Sequence, residues 1–282
     1  MSLENRLATP ADVHRLHVSF SATTHGEHLA SRVRYDSYRP SHVTNAEWVT
    51  LLGADVSNLD HMPLTAQLTD TFVRLAKVCP TYSPDNQFSS EDASDLRLAA
   101  YTHDWGEGIV GHEDITYRDK TEDDDVREHQ AVNGILRANA FNQAATDNEA
   151  DRISQRLADI QVNIVHNRET RLGRAFNAIE RMGYLRTAVR AWRVQDRVED
   201  PEVQGSLQWL TADVLTHQTQ PLLHYVQSYF PVAQMLESYT PVISEAFHTL
   251  QGKVFERYGG EKVALQKEKF LTAKQQWETA QR

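Results

Sequence analysis

Apolar residues return every three or four positions along most of this chain, and few glycines or prolines interrupt them. The clearest stretch begins at Asn58, where Leu64, Leu68, Phe72, Leu75 and Ala76 share one helical face. Ser57, Asn58 and Asp60 offer capping oxygens, Pro63 suits a first turn, and Pro80 ends the run. With 12 Gly and 9 Pro in 282 residues and 24% charged side chains, the composition argues against a disordered or all-β chain. The expected fold class is all-α.

Other elements follow from the same reading. Residues 1–40 are polar and suggest one or two short helices before a loop ended by Pro40. Residues 81–90, with Pro84, Asp85 and Asn86, read as a solvent-facing connection. A helix starting near Glu91 carries Leu96, Ala99, Ala100, His103 and Glu107 at helical intervals, which sets a histidine and a carboxylate on its apolar face. Residues 112–125 form an acidic loop, and the run Glu122, Asp123, Asp124, Asp125 suits the positive end of a helix over 126–136. Further helices are expected over 149–166 and 168–198, with two or three between 202 and 281 punctuated by Pro221, Pro231 and Pro241. The organisation implied is an N-terminal extension over 1–40, a core over 41–200 and a C-terminal helical extension over 201–282 packed on it. The length suffices for a substantial core.

A formal net charge of -10 gives no global attraction to polymeric nucleic acid or to an anionic membrane, whereas a small phosphorylated ligand needs only a local basic pocket. Cys79, the one cysteine, excludes an intrachain disulfide and is expected to fill core space. No stretch approaches the roughly 18 apolar residues of a membrane span, and residues 1–8 lack an apolar signal core. A cytoplasmic location is expected.

His103 and Asp104 are adjacent and can both reach one ion beside their helix. Imidazole nitrogen with carboxylate oxygen suits Mn, Co, Fe, Ni or Zn better than Ca or Mg. Alone, a His-Asp pair is more often a partly buried histidine with a satisfied partner. Here it stands in the run His103-Asp104-Trp105-Gly106-Glu107-Gly108-Ile109-Val110-Gly111, downstream of Leu59-Asp60-His61-Met62. This order resembles the HD-domain superfamily, and more closely its 5'-deoxynucleotidase-like members, over roughly residues 44–192. The resemblance implies an HD-domain helical bundle with additional C-terminal helices, and a phosphohydrolase acting on a nucleotide or related phosphomonoester. It assigns one divalent transition metal ion to His61, His103, Asp104 and Asn177, water handling to Glu107, and substrate contacts to Trp48, Asp114 and Lys120. His112 and Glu113 stand as a two-residue insertion relative to the family pattern.

One position departs from that pattern. Within Phe176-Asn177-Ala178-Ile179-Glu180, Asn177 stands where the family carries an aspartate, and a neutral amide oxygen binds a cation less strongly than a carboxylate. A weaker metal enzyme, a repurposed pocket and an inactivating change are all consistent with it, as is a different ligand, Asp159 or Asp196. Two other readings stand beside the hydrolase: a diiron oxygenase using His112, His129 and His166, and a non-catalytic nucleotide-binding or regulatory protein. Tyr225, Tyr229, Phe230 and Tyr239 supply aromatic surface for a homodimer interface, or core.

Overall fold

The structure is a computed structural model that describes residues 10–108, 132, 134, 135, 137, 138, 146–250, 254–256 and 262–281. It is all-α, with ten α-helices and no strand among the described residues. In chain order they are α1 (Pro10–Ser21), α2 (Thr24–Ala30), α3 (Asn45–Leu52), α4 (Asn58–Ala76), α5 (Ser90–Thr102), α6 (Asp147–Ile160), α7 (Arg171–Gln195), α8 (Pro201–Val226), α9 (Phe230–Thr249) and α10 (Lys262–Ala280). The acidic run at 122–125 and the helix expected over 126–136 lie outside the fully described residues.

Contacts divide the chain into two compact units that interleave along it. The first is Met1–Arg32, Ser57–Val73 and Phe88–Asn177; the second is Val33–Val56, Arg74–Gln87 and Ala178–Arg282. Two of the boundaries fall inside α4 and α7. In the first unit α1 packs on α5, α2 packs on α1 and on the turn Trp105–Gly108, and α5 packs on α6. Helix α6 shows why: Ala150, Ile153, Leu157 and Ile160 form a buried stripe on an otherwise charged helix.

In the second unit α8 packs against α9 and α10. Its core joins Val33, Tyr38, Trp48, Leu52 and Val56 to Ala188, Ala191, Leu207 and Leu210. The Tyr38 hydroxyl donates to the buried carboxylate of Asp213.

Several local expectations are revised. Residues 81–90 are not wholly solvent-facing: Asn86 is buried, donates to the carbonyls of Ala76 (3.0 Å) and Cys79 (2.8 Å), and accepts from the Phe230 amide at 3.1 Å. It thus satisfies a carbonyl at the end of α4 and an amide at the start of α9, a role no periodicity reveals. Cys79 is only partly buried. Pro231 opens α9 as expected, but Pro63, Pro221 and Pro241 stand inside helices. Each removes one backbone hydrogen bond from a helix of 19 or more residues.

Candidate metal centre

Helix α5 starts with a capping box: the Ser89 hydroxyl accepts from the Asp92 amide and the Asp92 carboxylate accepts from the Ser89 amide. It stops at Thr102, with His103 as its C-cap. The expected continuation through Glu107 does not occur. Instead Trp105–Gly108 tightens into a 3-10 turn in which the Glu107 amide bonds to the Asp104 carbonyl at 3.0 Å. Gly106 and Gly108 are poor helix formers. Trp105 is fully buried, stacked on Phe20 at 4.3 Å between ring centres and within 9° of parallel. That stack draws the chain off the helix axis just after Asp104 and leaves Glu107 exposed.

His61, in the first turn of α4, comes to the same place. Its Nε2 lies 3.2 Å from His103 Nε2 and 3.9 Å from Asp104 Oδ2, and His103 Nε2 lies 3.3 Å from that same oxygen. His61 and His103 are buried, and Asp104 is mostly so. Among the described residues these three form the one group of His, Cys, Asp or Glu side chains whose ligand atoms converge.

The tautomer of His103 follows from its second nitrogen. Nδ1 lies 2.9 Å from the Ala100 carbonyl, which can only accept, so Nδ1 carries the proton and, in the neutral ring, Nε2 presents its lone pair toward His61 and Asp104. A backbone carbonyl fixing the outer nitrogen of a ligand histidine is the usual means of aiming the inner one. Donors about 2.1 Å from one ion lie roughly 3.0–3.5 Å apart when adjacent in tetrahedral or octahedral arrangements. Two of the three separations fall in that range, and the His61–Asp104 pair is slightly wide. Two imidazole nitrogens at 3.2 Å need a proton or a cation between them. The negative end of the α5 dipole also points here, which favours positive charge. The donor set therefore fits a borderline divalent ion.

Asn177 is buried on α7, next to Phe176, whose ring lies 5.5 Å from that of His103. Neither Asp159 nor Asp196 joins the converging group; both are exposed, and Asp159 accepts from Gln155 at 2.9 Å. His166 is exposed at the end of a π-turn, while His112 and His129, the other histidines of the diiron reading, lie outside the described residues, as do Asp114 and Lys120. Trp48 is fully buried in the second unit's core, its indole N–H donating to the Arg34 carbonyl at 3.3 Å. An indole so enclosed has no open face for a base, and packing is the role its surroundings give it.

Three polar residues of the first unit were not singled out from the sequence. Thr65, one turn after His61, places its hydroxyl 3.4 and 3.3 Å from the two His61 ring nitrogens. Gln161, fully buried, donates to the Thr102 hydroxyl at 2.8 Å. His17 is buried beside Tyr101 with no partner for Nδ1, and burial, aided by His14 and opposed by Asp60, pushes its pKa down to about 4. A threonine four residues after a suspected ligand histidine is the one clue available from spacing.

No protein-family model, curated protein or solved structure matches this chain. The functional reading accordingly rests on the geometry of His61, His103 and Asp104.

Proposed function

We propose that this protein is a metal-dependent phosphohydrolase acting on a nucleotide or a related phosphomonoester. The observation that carries the reading is the convergence of His61, His103 and Asp104, with the His103 lone pair aimed inward by Ala100. In this reading these three side chains hold one Mn, Co, Fe, Ni or Zn ion, and Asn177 on the adjoining α7 adds an amide oxygen. Such an ion, when bound, acidifies a water and offsets charge on a phosphoryl oxygen. The protein's own share is to orient both imidazoles and to supply a single carboxylate, which with a divalent ion would leave the site net positive and receptive to a phosphate dianion. Glu107, on the turn three residues past Asp104, is the candidate for accepting the proton of an attacking water.

The test is hydrolysis of nucleoside mono- and triphosphates with Mn, Co, Zn and Mg, run on wild type, His103→Ala and Asn177→Asp. The reading expects release of phosphate by the wild type, none by His103→Ala at unchanged helix content, and about ten-fold tighter metal binding by Asn177→Asp, because a charged oxygen replaces a neutral one. Metal binding without any hydrolysis would instead support a nucleotide-binding or regulatory protein, the reading that the neutral Asn177 also suits. Failure of the wild type to bind any ion would remove both.

A further inference from the structure

Gln161 occupies a position that stability alone does not explain. It is fully buried, and it opens the π-turn Gln161–Val165 that follows α6. Its Nε2 donates to Thr102 Oγ1 at 2.8 Å, and that hydroxyl donates in turn to the Leu98 carbonyl at 2.9 Å. Thr102 is itself fully buried and directly precedes His103, whose Nδ1 is held by Ala100. Leu98, Ala100 and Thr102 are thus three residues of the last α5 turn whose polar groups fix where His103 and Asp104 emerge. The Gln161 Oε1, by contrast, is buried with no hydrogen-bond partner. A buried acceptor left unmatched destabilises a fold, and an apolar side chain of the same length would avoid it. A π-turn is likewise less favourable than continuing the helix, and such turns concentrate at functional sites.

From this we infer that Gln161 is a positioning residue, acting through the Thr102 hydroxyl to hold the end of α5 so that His103 and Asp104 meet His61. The inference rests on the metal-binding reading proposed above and deepens it. The bond tethers Thr102 in a direction that the helix's own hydrogen bonds do not constrain. Without it the last turn can fray, as helix ends do, and His103 can lose Ala100 as its Nδ1 partner.

The test uses Gln161→Met, which keeps the length and removes both the donor and the unmatched acceptor, with Thr102→Val and Thr102→Ser as companions. Three readouts are taken: Mn or Co affinity, thermal midpoint with helix content, and the His103 ring tautomer from nitrogen chemical shifts in metal-free protein. Gln161→Met and Thr102→Val should each weaken metal binding about ten-fold, the low end for loss of an outer partner, while the thermal midpoint holds or rises. Thr102→Ser should restore wild-type affinity, and the double variant should lose no more than either single one. Loss of stability in parallel with affinity, or unchanged affinity, would make Gln161 an ordinary packing residue and overturn the inference while leaving the metal site standing. If the wild type binds no ion, the metal reading fails on its own. The positioning role is then still decided by the tautomer, which should be Nδ1–H in the wild type and mixed in Gln161→Met; an unchanged tautomer would end it.

Discussion

His17 is buried as a neutral imidazole, and the free energy of that choice varies with pH. Its pKa falls from 6.5 to about 4 on folding, because burial disfavours the cation, His14 adds repulsion and Asp60 only partly compensates. The unfolded chain therefore binds a proton near pH 6.5 that the folded chain refuses until about 4, so stability rises with pH between those values and falls as pH drops through them. At pH 5 the deficit from this one residue is about 2 kcal/mol. Replacing it with phenylalanine, which suits a site beside Tyr101, should remove the dependence. Urea unfolding of wild type and His17→Phe should show their stability difference shifting by about 2 kcal/mol in the variant's favour between pH 7 and pH 5. A difference independent of pH would mean that His17 titrates alike in both states. Nothing in the sequence marked His17, because a polar residue one turn from Val13 and Phe20 reads the same whether it is buried or flanks a core. The His61, His103 and Asp104 cluster was legible because three residues of two ligand types, imidazole and carboxylate, stood in a recognisable order.

Helix α5 links the capping chemistry at one end to the candidate metal donors at the other. Asp92 accepts from the Ser89 amide at 2.8 Å and pairs with Arg171 of α7 at 2.5 Å. Burial raises its pKa, but the Arg171 and Ser89 hydrogen bonds outweigh that and hold it below the usual carboxylate range. Its contribution is present above pH 4 or so and is lost as acid protonates the folded carboxylate. Ser89→Ala removes one cap and should cost about 1 kcal/mol. Asp92→Ala removes the reciprocal cap and the Arg171 partner together and should cost more, about 2 kcal/mol. Denaturant unfolding of both variants checks the order; equal losses would show that the Arg171 pair contributes nothing. The start of this helix near Glu91 was readable from its first-turn carboxylates. Its end was not, since the apolar spacing runs on through Glu107 and only the stacking of Trp105 on Phe20, a contact between distant segments, turns the chain aside.

At the scale of the molecule, the all-α class followed from apolar periodicity and a composition poor in glycine and proline. A repeat of apolar positions tells which face of a helix is buried but not which other segment buries it, so units that interleave along the chain cannot be drawn from composition. His61 and His103 are 42 residues apart and meet only in the folded chain, so the metal centre proposed for them depends on that long-range order. A ligand that binds the native site alone stabilises the protein by mass action, about 2.7 kcal/mol at a hundred-fold excess over its dissociation constant. Manganese or cobalt at that excess should therefore raise the unfolding midpoint by several degrees, EDTA should reverse the change, and His103→Ala should show none of it. The formal net charge of -10 offers a competing cause, because any divalent cation screens repulsion among surface carboxylates. Magnesium at the same concentration separates the two, since it screens equally well but prefers oxygen ligands over imidazole. Equal shifts with magnesium and manganese, or equal shifts in wild type and His103→Ala, would locate the effect on the acidic surface and not at His61, His103 and Asp104.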